Sequence, residues 1–124
     1  MLRGNNELVL VVDDEEFIRE ICKASLEEHN YRILIARDAV DAFSLYTTHK
    51  NEISIVLIDI QMPSIDGFNA IRVLQQINSS VQIIAMSGLA SNRKLLETNG
   101  LNVQAFLLKP YTIETLLRTI QSIL

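Results

Sequence analysis

Residues 55–63 read IVLIDIQMP: four apolar residues, then Asp59, then a chain that turns away at Pro63. Extended back to Ile53, the run is β-branched and apolar almost without alternation, which predicts a strand covered on both faces of a parallel sheet. Residues 8–12, LVLVV, have the same character and also run into acids, Asp13-Asp14-Glu15-Glu16. Residues 32–36, 81–86 and 105–108 predict three further strands.

The segments between them carry helical spacing. Phe17, Ile18, Ile21, Cys22 and Leu26 recur at three- and four-residue steps opposite Glu15, Glu16, Arg19, Glu20 and Lys23, which predicts an amphipathic helix packed on the sheet. Asp38 caps a predicted helix over 39–48, Asp66-Gly67 opens one reaching about 77, and Gly100 ends one begun near 92. The last begins at Thr112 and is expected to bury Ile113, Leu116, Leu117, Ile120 and Leu124. Strict alternation of strand and helix with short loops predicts a single doubly wound (βα)5 sandwich, because right-handed crossovers place helices on both faces of a parallel sheet. Residues 1–6 are polar and are expected to be a disordered tail or linker remnant ahead of a domain spanning 7–124.

Composition narrows the class. A chain of 124 residues, 48% hydrophobic and 21% charged, fits one folded domain rather than a disordered or fibrous chain. The net charge of −4, with no cluster of Lys or Arg beyond Arg93-Lys94, argues against a nucleic-acid or anionic-membrane partner. The lone Cys22 excludes an internal disulfide, and no apolar run approaches the roughly 18 residues of a membrane span. A cytoplasmic location without membrane contact is expected.

In an open α/β sheet, polar functional groups gather at the carboxyl ends of the strands. If the first and third strands are neighbours, Asp13, Asp14 and Asp59 meet at one edge. Like charges about 4 Å apart repel by about 4 kcal/mol per pair at an effective dielectric near 20. Either some of the acids stay protonated or a cation sits among them, and all-oxygen ligands select a hard ion such as Mg²⁺. Lys109, ending the fifth predicted strand in AFLLKP, can share that duty, and Ser87 adds a neutral hydroxyl at the end of the fourth. Mg²⁺, an amine and a hydroxyl are also what a transferred phosphoryl group needs, and a carboxylate can serve as its nucleophile.

Asp13-Asp14, Asp59 followed by MP and DG, Ser87 and Lys109-Pro110, in this order and at these intervals, resemble the receiver domain of bacterial two-component response regulators over residues 8–124. The resemblance implies a flavodoxin-like parallel sheet of order 2-1-3-4-5. It implies that Asp59 accepts a phosphoryl group, and that Asp14, Asp59 and the main-chain carbonyl of Gln61 ligate Mg²⁺ while Asp13 holds it through water. Lys109 would pair with the phosphoryl oxygens, Ser87 would swing inward to bond another, and Phe106 would be the aromatic whose rotamer follows. The implied partner is a histidine kinase or a His-containing phosphotransfer domain, and dimerisation through the fourth-helix face stays open. MSGLAS and AFLLKPYT are similar to receivers appended to hybrid histidine kinases. Gly88 stands where the family often has Ala, and Leu89 where it often has a polar residue; both flank, with Gln61, the site of water attack.

Each residue also has a plainer reading. Asp14 alone would be a helix cap, Ser87 a turn residue and Phe106 a packing aromatic. Cys22 lies on a buried stripe and is expected to be inert, and His29 and His49 lie near helix ends without further zinc ligands. Three other classes remain: a turnover phosphohydrolase, which would usually carry a second acid where Gln61 stands; a mononucleotide binder, which would need a Gly-rich loop after the first strand; and a structural pseudo-receiver.

Overall fold

A computed structural model describes residues 2–61 and 67–124. Met62, Pro63 and Asp66, which carry the expected turn and helix entry, lie outside the described residues. Strands and helices alternate as β1 (Leu8–Val12), α1 (Glu16–Glu28), β2 (Arg32–Ala36), α2 (Ala39–His49), β3 (Ile53–Asp59), α3 (Gly67–Ile77), β4 (Ile83–Ser87), α4 (Ser91–Thr98), β5 (Ala105–Leu108) and α5 (Ile113–Ile123). The strands form one parallel sheet in the order β2-β1-β3-β4-β5, the expected doubly wound architecture.

The absence of alternation in β1 and β3 follows from two separate cores. Leu10, Val12, Val56 and Ile58 point to one face, where Ala42 and Tyr46 of α2, Ile71 and Leu74 of α3 and Leu96 of α4 cover them. Val9, Val11, Ile55 and Leu57 point to the other, under Cys22 and Leu26 of α1 and Leu116, Leu117 and Ile120 of α5. Fully burying one such aliphatic side chain is worth about 1.5–3 kcal/mol, so a central strand profits from apolar residues at every position. Edge strand β2 is only partly covered, with Arg32 and Ile35 exposed.

Helix ends are set by local chemistry. At the end of α4, Gly100 takes φ +69°, its N–H donates to Glu97 O (3.0 Å), and Leu101 N–H donates to Leu96 O (2.9 Å). Asn30 does the same after α1 at φ +68°, with Asn30 N–H to Glu27 O (3.1 Å) and Tyr31 N–H to Leu26 O (3.1 Å). Both are left-handed C-caps, and in each the residue after the cap is buried in the same core as the carbonyl's owner. Ahead of β1, Gly4 N–H donates to His29 O (2.8 Å) and Asn6 N–H to Asn30 O (2.9 Å).

Asp38 caps α2, its Oδ1 accepting the Asp41 N–H at 2.8 Å. The Asp38→Ala variant is expected to lose about 1 kcal/mol in a denaturant titration, since that N–H would have no other intrahelical acceptor. An unchanged midpoint would show the cap to be dispensable.

Four predicted core residues are not buried. Phe17 is 70% exposed, Ile21 45%, Ile113 41% and Leu124 44%. Phe17 and Ile113 sit in the first turns of their helices and Leu124 lies past the end of α5, where the sheet offers no cover. Ile21 and Ile113 instead line an open apolar cleft of about 470 Å³ with Ile18, Cys22, Tyr111 and Leu116. Strand β4 starts at Ile83 rather than Val81, whose N–H turns back to Asn78 O (3.1 Å).

Candidate functional site

The register of the sheet makes the site. Val12 pairs with Ile58 and Ala36, so β1 and β3 end level and Asp13 emerges beside Asp59. Asp59 in turn faces Met86, and Ile60 N–H donates to Met86 O (3.0 Å), which sets Ser87 beside the start of the β3 turn. Lys109 N–H donates to Ser87 O (2.8 Å), fixing the end of β5 against the end of β4. The Lys109-Pro110 peptide that follows is cis.

Asp13, Asp14 and Asp59 each present a carboxylate oxygen within 4.8 Å of the others. Asp13 is fully buried and Asp59 nearly so, whereas Asp14 is exposed. The Lys109 ammonium reaches in from β5 and donates to Asp59 Oδ2 at 2.9 Å and to Asp13 Oδ2 at 3.4 Å. Asp13 Oδ1 accepts the Glu15 N–H (3.0 Å), and Arg19 of α1 clamps Asp13 O (2.8 Å). Asp14 therefore does not cap α1: the N-cap is Glu15, without a side-chain bond of its own.

Burial raises the Asp13 pKa above the ordinary carboxylate range, and the nearby charge of Asp59 adds to it, against the opposing pull of the Glu15 N–H and Lys109. Burial alone would lower the Lys109 pKa, yet it is raised, because the bond to Asp59 and the charges of Asp13 and Asp59 outweigh desolvation. One ammonium thus serves two packed carboxylates and leaves the cluster short of positive charge. Three oxygen donors with one at the solvent rim suit a hard divalent cation, and these are the residues that would hold Mg²⁺.

Ser87 is fully buried, and its Oγ accepts from Asn92 Nδ2 (2.8 Å) and Leu89 N–H (3.0 Å). Among the described residues both bonds use Ser87 Oγ as acceptor, and a hydroxyl also carries one hydrogen to donate. Asn92 is a residue that sequence reading passes over: it is 8% exposed on α4, and its signal is a polar side chain five positions after Ser87, on the face that also buries Leu96. Phe106, half-buried, packs against the core beside Ala85, its register partner. Gln61 N–H donates to Asp59 Oδ1 (2.9 Å), and its side-chain Oε1 accepts the Gly88 N–H.

Gly67 is a second residue whose role sequence reading understates. At the start of α3 it lies against the backbone just after Asp59, and a Cβ there would stand 2.4 Å from Ile60 Cα. Tyr111 OH donates to Met86 Sδ (2.9 Å) behind the site; burial raises both this phenol and the Cys22 thiol, so both stay protonated near neutrality. His29 bonds Ser25 O (2.8 Å) and His49 meets Glu52 (3.3 Å), and neither belongs to the acidic cluster of Asp13, Asp14 and Asp59.

Residues 9–121 match the family model of the response regulator receiver domain. The chain is 28% identical over 116 residues to the response regulator MprA of Mycobacterium sp. (strain KMS), a match taking in 94% of this chain and 50% of that protein. It is 26% identical over 117 residues to the chemotaxis protein CheY of Bacillus subtilis (strain 168), covering 94% of this chain and 96% of that one. The solved structure of the response regulator protein TrrA from Thermotoga maritima in complex with Mg(2+)-BeF superposes with a TM-score of 0.84 at 25% identity, over 95% of this chain and 99% of that one. The chain therefore spans about half the length of the mycobacterial relative.

Proposed function

The chain belongs to the response regulator receiver domain family, and on that premise we propose that it is switched by accepting a phosphoryl group on Asp59 from a phosphohistidine donor. Receiver domains are phosphorylation-controlled signalling modules, and they bind Mg²⁺ at an acidic pocket of the kind that Asp13, Asp14 and Asp59 form. The observation that carries the proposal is the placement of Asp59 at the end of β3, 2.9 Å from the Lys109 ammonium and within 4.8 Å of two further carboxylates.

In the reaction an Asp59 carboxylate oxygen attacks phosphorus in line. The new P–O bond forms as the P–N bond to the donor imidazole breaks, and the imidazole leaves with the electron pair. Lys109 offsets charge on the phosphoryl oxygens, and Ser87 donates its free hydroxyl hydrogen to one of them. Mg²⁺, when bound, would supply Lewis-acid neutralisation of the transferred group's charge. Asp14, Asp59 and the Gln61 main-chain carbonyl would hold it directly, and Asp13 would hold it through water. Phe106 is the proposed side chain that follows Ser87. Slow attack of water on phosphorus returns the carboxylate and releases inorganic phosphate.

Gln61 supports a switch over a turnover phosphohydrolase, because an amide at that position cannot act as general acid and base. The partner is a histidine kinase or a His-containing phosphotransfer domain. Among the described residues no helix is long and apolar enough to cross a membrane, and a cytoplasmic site of action is part of the proposal.

Incubation with acetyl phosphate and Mg²⁺, read by intact mass, tests the reading. A gain of one phosphoryl group that requires the metal and decays slowly is expected. No gain, or hydrolysis of acetyl phosphate without a phosphorylated chain, would overturn it.

A further inference from the structure

We propose that the Gln61 side chain is a latch on Gly88, holding the amide that an anion on Asp59 would use, so that the resting site is closed by this pair and loading must displace it. The inference rests on the phosphoacceptor reading of Asp59 and concerns how that site is regulated.

Gln61 straddles the site. Its backbone N–H donates to Asp59 Oδ1 (2.9 Å), and its side-chain carbonyl crosses to the β4–α4 turn to accept the Gly88 N–H. The crossing is set by the sheet: Asp59 is paired with Met86, Gln61 lies two residues beyond one and Gly88 two beyond the other. The Gly88 N–H is therefore joined to the carboxylate through the single residue Gln61, and it adjoins Ser87 in the chain. Lys109 already spends itself on Asp13 and Asp59.

The pair is sterically matched. A Cβ on residue 88 would lie 3.2 Å from Gln61 Oε1, tighter than ordinary contact, so the absence of a side chain there lets the carbonyl approach the amide without strain. A backbone amide has one hydrogen to give. A phosphoryl group on Asp59, at most doubly charged, is a stronger acceptor than a neutral amide carbonyl, by roughly a factor of two in bond strength. Gln61 is exposed, so once displaced it can bond to water. The exchange is thus favourable only when a phosphoryl group is present, and the latch taxes the affinity of the resting state for it.

Beryllofluoride with Mg²⁺ serves as a non-covalent phosphoryl mimic for the test, with Gln61→Ala and the length-preserving Gln61→Met as variants. Losing one neutral hydrogen bond that competes with the ligand is expected to tighten beryllofluoride binding about 3- to 10-fold in both. Hydrogen exchange of the Gly88 amide reports the latch directly: protected in the wild-type chain, faster in both variants, and protected again in all three once beryllofluoride is bound. Gly88→Ala, which keeps the N–H but crowds the carbonyl, is expected to speed exchange in the same direction. Unchanged or weaker beryllofluoride binding in both Gln61 variants, or a Gly88 amide whose exchange ignores residue 61, would overturn the latch while leaving the phosphoacceptor reading intact. A wild-type chain that binds no beryllofluoride would instead overturn the reading on which the latch rests.

Discussion

Asp59→Asn is expected to abolish phosphoryl uptake from acetyl phosphate, with the rate of labelling falling at least about 10³-fold, while the fold persists. The amide has the shape of the carboxylate but no anionic oxygen to attack phosphorus. Its carbonyl can still accept from Lys109, which keeps its second contact to Asp13 at 3.4 Å. Removing one of three close negative charges also relieves repulsion, so the metal-free variant should melt no lower than the wild-type chain. Intact mass after incubation measures the first effect and thermal unfolding the second. Labelling at the wild-type rate would remove Asp59 as the acceptor, and a large fall in melting temperature would show that its charge holds the fold together.

Gly67→Ala should carry the largest cost in stability. The added Cβ would fall 2.4 Å from Ile60 Cα and 2.7 Å from both Ile60 Cβ and Ile60 O, so the overlap is with backbone and no rotamer change relieves it. Gly67 begins α3 with ordinary helical geometry, which means the constraint is space rather than conformation. Overpacking of a rigid site costs about 1–3 kcal/mol and more where backbone must move. For a domain of this size about 3 kcal/mol lowers Tm by roughly 10–20 °C. Because Ile60 adjoins Asp59, the shift needed to relieve the clash moves the acid, and acetyl phosphate labelling should slow as well. A Tm within a few degrees of wild type would mean that α3 can slide away from the sheet at little cost.

The strands were legible because burial on both faces demands apolar residues at consecutive positions, a demand that β1 meets throughout and β3 meets from Ile55 to Ile58. Helix ends were legible where a single residue supplies the cap, as Asp38, Gly100 and Thr112 do. The extent of burial was not. Phe17 and Ile113 continue the apolar spacing of their helices, but spacing describes a helix face and does not say where the sheet beneath it ends. Asn92 and Gly67 escaped for a related reason: a hydrogen bond to a hydroxyl on another element, and a backbone within 3 Å, leave no trace in local sequence.

Sequence by itself determined which side chains could do chemistry here, since acids, an amine and a hydroxyl following apolar strands can only lie at strand ends. Tertiary structure decided their pairing: register set Lys109 on Asp59 and Asp13 at once, turned Ser87 toward Asn92 and laid Gln61 across to Gly88. Composition and spacing act along the chain, whereas a distance of 3 Å between strands is set by the hydrogen-bond ladder that aligns them, and that ladder exists only in the folded sheet.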